Sequence, residues 1–192
     1  MADADRVGKK IHALREQRGM TVAGLAERSQ CASNIIEELE AGEMTPSLAP
    51  LTKIARGLGV HLGTFIDTAP HPGPVVVRAD AREEVAHFSG IGHASRWGTL
   101  DFYSLAVNKE GRHMEPFIID IHPTVEEDIT LSVHEGEEFI YVLTGRIAVI
   151  YGDEQLVLNP GDSVYYDSTT PHEVRAAGEE DARILAVIYA TF

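Results

Sequence analysis

The stretch His134-Glu-Gly-Glu-Glu138-Phe-Ile-Tyr-Val-Leu-Thr-Gly145 decides the reading of this 192-residue chain. Residues 138–144 are rich in β-branched and aromatic side chains and stop at a glycine, as a strand does. The same period of two continues on both sides. Further strands are expected at 117–121, 129–134, 146–151, 155–159, 163–167, 173–175 and 183–189, separated by Gly, Pro, Asp or Asn turns. Eight short strands at this spacing predict an all-β barrel or jelly roll, with no internal repeat beyond the strand–turn rhythm.

Upstream of this half the hydrophobic period is helical. Ile11, Leu14, Leu25, Ile36, Leu39, Leu51, Ile54, Leu58, Leu62, Phe65 and Ile66 recur at helical spacing and form the expected inward face. Five short helices fit: 6–18, ending at Gly19; 22–28, capped by Thr21; 33–41, ending at Gly42; a fourth capped by Ser47 and running to Leu58 before Gly59; and a last turn over 62–66. Three prolines within Thr68-Ala-Pro-His-Pro-Gly-Pro74 predict a stiff extended linker. The expectation is therefore an α + β two-domain protein: a five-helix bundle over 1–67, a linker over 68–75 and the β-barrel over 76–192.

Charge divides along the same boundary. The chain carries a net charge of −14, of which residues 1–70 (8 Lys/Arg, 9 Asp/Glu) hold −1 and residues 71–192 (8 and 21) hold −13. Such acidity excludes a protein that coats nucleic acid, although the helical half is nearly neutral. No signal peptide and no run of about 18 apolar residues is present, so a cytoplasmic protein that does not enter the membrane is expected. The single Cys31 cannot form an internal disulfide and reads as a half-buried packing residue.

The helical half carries Leu25-Ala-Glu-Arg28, Ile36, Leu39-Glu-Ala-Gly42 and Pro46-Ser-Leu48, followed by Leu51-Thr-Lys-Ile-Ala-Arg-Gly-Leu-Gly-Val60. These motifs resemble the phage-repressor-like xenobiotic response element family of helix-turn-helix domains, over nearly all of residues 6–67. The resemblance implies that the third helix enters the DNA major groove. Ser33, Asn34 and Glu37 then take the base-reading positions, with Arg15, Arg18 and Arg28 on phosphates. Two departures stand out. Ala32 replaces the usual Ser or Thr cap, and Glu37, Glu38, Glu40 and Glu43 make the reading helix acidic, which opposes phosphate attraction.

In the β half, residues 134–145 resemble the first cupin motif, and Pro160-Gly-Asp162 with Pro171-His172 resembles the second. The resemblance implies a double-stranded β-helix, or jelly roll, in which His134, Glu138 and His172 meet on one divalent metal. Two imidazoles and one carboxylate suit Fe(II), ahead of Zn, Ni or Mn, and leave coordination positions open. Ser132 stands where the family places a further His, so a three-ligand site is expected. Arg112, His113 and Glu115, just before the first clear barrel strand, are candidates for the pocket mouth, and so is Tyr165. Tyr165 and Tyr166 are adjacent on one strand, so only one faces the interior.

The domain order resembles bacterial transcription regulators in which a helix-turn-helix precedes a cupin that senses a small-molecule ligand. The same order and metal motif resemble the mononuclear iron hydroxypropylphosphonic acid epoxidases, in which the helical domain serves an active site. Whether the chain is an enzyme is left open by the residues; if so, it is a non-haem iron oxidoreductase. Half-site reading and sheet edges both imply a homodimer or higher homo-oligomer.

Overall fold

The computed structural model describes residues 2–44, 48–80, 84–88, 100–123 and 131–189. Five helices come first: α1 (Ala2–Gln17), α2 (Val22–Ser29), α3 (Ser33–Glu40), α4 (Leu48–Leu58) and α5 (Gly63–Ile66). Thr21 caps α2 by accepting the Gly24 N–H at 3.0 Å, whereas Ala32 leaves the start of α3 without a side-chain cap. Ser47, the expected cap of α4, lies outside the described residues. The predicted inward positions Ile11, Leu25, Ile36, Leu39, Leu51, Ile54, Leu58, Leu62, Phe65 and Ile66 are buried, and Leu14 is half-buried against them. Truncating any of these core leucines or isoleucines to Ala would cost about 2–5 kcal/mol through lost burial and the cavity left behind.

Nine antiparallel strands follow: β1 (Glu84–Phe88), β2 (Leu100–Ser104), β3 (Met114–Ile121), β4 (Glu137–Thr144), β5 (Ile147–Tyr151), β6 (Glu154–Leu158), β7 (Ser163–Asp167), β8 (His172–Ala176) and β9 (Ala182–Tyr189). They form a six-stranded sheet in the order β1-β2-β3-β9-β4-β7 and a three-stranded sheet in the order β6-β5-β8. Alternation sets the core: Ala182, Ile184, Ala186 and Ile188 of β9 are buried together with Ile140 and Val142 of β4, and Phe102 meets Phe117 edge-on with centroids 5.6 Å apart. Gly145 closes β4 at φ +70°, where a Cβ would stand 2.4 Å from the Asp181 carbonyl oxygen, so the turn requires glycine. Strands β1 and β2 extend the sheet beyond the expected set. The expected strand at 129–134 begins outside the described residues. Its described part contributes only the Ser132–His172 bridge.

The segment 68–75 contains no helix, only bends and the His71–Lys109 bridge, and it is pinned to the barrel. Asn108, at φ +64°, accepts the Thr68 and Ala69 N–H groups on its side-chain oxygen at 2.9 and 3.0 Å, and its carbonyl accepts the His71 N–H at 2.7 Å. Beneath it, buried Arg112 donates to Asp67 at 2.6 Å and to Glu115 at 2.7 Å. The other Glu115 oxygen accepts the Gly63 N–H at 3.0 Å. A Cβ at Gly63 would lie 2.1 Å from the guanidinium, so glycine there lets Arg112 lie against α5. Among the described residues no helix is long and apolar enough to cross a membrane.

Candidate functional site

His134 precedes β4, Glu138 lies on β4 in the larger sheet, and His172 opens β8 in the smaller one. Backbone pairing brings them together. Ser132 and His172 exchange N–H···O bonds of 2.7 and 3.0 Å, and His134 donates its backbone N–H to the Ser168 carbonyl at 3.0 Å. The position that sequence comparison marked as departing from the motif, Ser132, therefore serves through its backbone, fixing β8 to the His134 segment.

All three side chains are buried, with one ligand atom from each lying within 4.8 Å of the others. Glu138 Oε1 is 2.8 Å from His134 Nε2 and 3.4 Å from His172 Nε2. Two ligand atoms at right angles, each about 2.1 Å from one ion, stand about 3 Å apart, so this spacing fits a first-row metal. The tautomers fit as well. His134 Nδ1 faces the Glu135 carbonyl at 3.2 Å and His172 Nδ1 faces the Thr170 carbonyl at 2.9 Å. A carbonyl only accepts, so Nδ1 carries the hydrogen and a neutral ring presents its Nε2 lone pair to the centre. Three electron-rich atoms converging in a buried place require a cation among them, either a metal ion or protons on the imidazoles.

Tyr166 completes the arrangement. It is the register partner of Glu138 across β7 and β4, is buried, and donates to Glu138 Oε2 at 2.7 Å, leaving Oε1 to the histidines. Without metal, burial pushes the Glu138 carboxyl up, but hydrogen bonds from His134 and His172 outweigh it and hold the group well below its usual range. For His172 burial pushes the imidazole down, and its hydrogen bond to Glu138 more than compensates, so it is raised. Burial and the neighbouring Glu138 charge push the Tyr166 phenol up, keeping it a donor.

The other expected pocket residues lie elsewhere. Tyr165 points outward, 63% exposed, and its hydroxyl bonds Glu137. The strand's alternation turns Tyr166 inward instead. Arg112 and Glu115 are buried in the connection between α5 and β3 described above, where they meet Asp67 and Gly63. His113 is exposed and meets His61 edge-on, centroids 5.2 Å apart. Sequence reasoning missed Tyr166 as the site residue, Asp67 as the partner of Arg112, and Arg56 of α4, which forms an ion pair with Glu135 beside His134.

On the helical domain Ser33, Asn34 and Glu37 are exposed along α3, and Arg18 and Arg28 are exposed near the ends of α1 and α2. Arg15 lies between α1 and α3. It is 6% exposed and donates to both oxygens of Glu40, at 2.7 and 2.9 Å, to Glu16 at 2.6 Å and to the Met20 carbonyl at 2.7 Å, so its guanidinium joins α1 to α3. Burial opposes this charge less than the Glu40 bond favours it, and Arg15 is held above its ordinary value. The Arg15 pair neutralises Glu40, which also meets His12 Nδ1 at 2.7 Å. One of the four carboxylates expected to repel a duplex is thereby removed from the balance. Cys31 is half-buried, and burial pushes its thiol up, which fits a packing role.

Residues 11–65 match the helix-turn-helix family model and residues 119–188 the cupin domain model. The chain is 23% identical over 181 residues to the HTH-type transcriptional regulator SutR of Escherichia coli K12, covering 92% of this chain and 90% of that protein. It is 28% identical over 160 residues to (S)-2-hydroxypropylphosphonic acid epoxidase of Streptomyces wedmorensis, covering 79% and 77%. A helix-turn-helix family transcriptional regulator from Vibrio cholerae shares the fold at a TM-score of 0.68 and 18% identity, over 98% of this chain and 97% of that one. The chain thus joins a helix-turn-helix domain to a cupin domain in one polypeptide.

Proposed function

We propose that this protein is a DNA-binding transcription regulator whose cupin domain holds one divalent metal, Fe(II) in the first instance, and senses a small metabolite. The observation that carries the metal reading is the convergence of two Nε2 lone pairs and Glu138 Oε1 in a buried centre, with Nδ1 of each ring tied to a carbonyl. Its donor set is the facial one that ferrous sites use. A bound ion would supply open positions for water or a small ligand; the chain's own residues orient the donors and keep Glu138 single-handed through Tyr166.

DNA reading is supported by the helix-turn-helix match, by the regulator relatives and by the exposure of Ser33, Asn34 and Glu37 on α3, with Arg18 and Arg28 flanking. We expect a homodimer. Strand β6, an edge of the three-stranded sheet, leaves Leu156 and Val157 exposed, and a partner would cover them. Sedimentation should give a mass above the 21.0 kDa of one chain. The three-donor centre and the epoxidase relative favour an alternative, a non-haem iron enzyme whose helical domain serves the barrel. Metal analysis of anaerobically purified protein, together with selection from genomic DNA, separates the two: the regulator retains a specific sequence, whereas the enzyme retains none and consumes oxygen with its substrate.

A further inference from the structure

Between the helical domain and the barrel rim lies a cleft of about 220 Å³. One wall is α4 with Lys53 and Arg56 and the end of α2 with Gln30; the other is the rim, with His134, Glu135 and Thr169. We propose that this cleft is a binding site for a small oxyanion, a carboxylate, phosphate or sulfate group, held by Lys53 and Arg56 next to the metal centre.

The charge balance points that way. Two cations face one carboxylate here, a local net of +1 on a chain whose net charge is −14. Lys53 and Arg56 stand three residues apart on α4 and so share a face. Arg56 pairs with Glu135, but a guanidinium has five N–H donors and keeps others for a ligand. Among the described residues no ion pair engages Lys53, a half-buried residue that lines the cleft. Thr52 spends its hydroxyl on the Leu48 carbonyl at 3.0 Å, so the neutral donors left to an oxyanion are the Gln30 amide and the Thr169 hydroxyl. Cations aided by neutral donors bind oxyanions through charge-assisted hydrogen bonds. Because His134 forms part of the wall, occupancy of the cleft and of the metal centre are neighbouring events.

The site also has a route to the helical domain. Arg56 belongs to α4, and Glu135 is the residue after His134, so an oxyanion that takes hydrogen bonds from Arg56 competes with one of the ion pairs that link the two domains. This names the chemistry of the ligand sensed, and only its consequence for DNA rests on the regulator reading.

The test uses the full-length metal-loaded protein at fixed ionic strength, titrated calorimetrically with inorganic phosphate, sulfate and malonate, three probes that distinguish the sources of the charge. We expect at least one to saturate at one per chain. Lys53→Gln and Arg56→Gln should each weaken it by at least about tenfold, and Lys53→Arg should retain it. Arg146→Gln, on the exposed turn after β4, should leave it unchanged. No saturable binding of any probe, or unchanged affinity in both cleft variants, overturns the proposal. Oxyanion binding without DNA retention leaves the site standing and removes the regulator reading, and DNA retention without oxyanion binding removes the site alone.

Discussion

Tyr166 and Glu138 are register partners across β7 and β4, and the phenol donates to Glu138 Oε2 at 2.7 Å while Oε1 faces His134 and His172. One hydroxyl thus decides which carboxylate oxygen serves the centre. Tyr166→Phe preserves the ring and should lower metal affinity about 10–100-fold, as loss of a bond that orients a ligand does. Competition with a chromogenic chelator measures it, and affinity equal to the parent protein would remove Tyr166 from the site.

The donors themselves should matter more. The protein as purified without oxygen should hold about one divalent ion per chain, His134→Ala/His172→Ala almost none, and Glu138→Gln an intermediate amount. Elemental analysis reads the content, and circular dichroism establishes that each variant keeps its strands. Full occupancy in the double variant would contradict the assignment.

Proton linkage gives a sign that metal reverses. In metal-free protein the raised His172 contributes stability that is complete below its ordinary value of 6.5 and lost as pH rises through its folded value. The depressed Glu138 contributes stability present above its ordinary 4.5 and lost as pH falls through its folded value. Together they favour the window between those two values. His122, raised by its bonds to Asp101 and Asp181, acts with the same sign as His172. The comparison is therefore made against His172→Gln: with chelator, the stability advantage of the parent should shrink from pH 6 to pH 8. With metal it should grow over that interval, because the ion needs neutral imidazoles. Calorimetric melting at the two pH values checks both directions.

Arg112 should be the most costly single charge to remove. It is buried between Asp67 and Glu115, so Arg112→Met leaves two buried carboxylates without their cation and should destabilise by about 3–5 kcal/mol in urea unfolding. Neutralising all three residues, Asp67→Asn/Arg112→Met/Glu115→Gln, should cost less than the single change. A single variant as stable as the parent would show that the connection between α5 and β3 carries little energy.

Much of this architecture is legible in the sequence because its patterns are local. Alternation locates β3 to β9 within a few residues, helical spacing identifies the buried positions of α1 to α5, and two short motifs bring out His134, Glu138 and His172. Strands β1 and β2 escape notice because Glu-Val-Ala-His-Phe and Leu-Asp-Phe-Tyr-Ser hold few β-branched residues. Inward Tyr166 and outward Tyr165 differ only in parity, which the pairing with β4 sets and no local pattern records. Arg15 reads as a surface cation until α3 brings Glu40 to it from 25 residues away, and Arg112 likewise until Asp67 arrives from 45. Long-range charge pairing is the information that a linear pattern lacks.

The central claim is that this protein reads DNA, and Arg15 changes which residues carry it. In the proposed reading, phosphate contact falls to Arg18 and Arg28 and base reading to Ser33, Asn34 and Glu37, with Glu40 paired to Arg15. Asn34→Ala should cost about 1–3 kcal/mol at one base position, whereas Arg28→Ala should weaken all sequences alike and reduce the salt slope by about one. The most direct measurement is selection of genomic fragments on the immobilised protein across roughly 20–200 mM salt, where the phosphate contribution varies steeply. The account predicts enrichment of one palindromic sequence whose retention falls with salt. The absence of any enriched sequence at the lowest salt would contradict it.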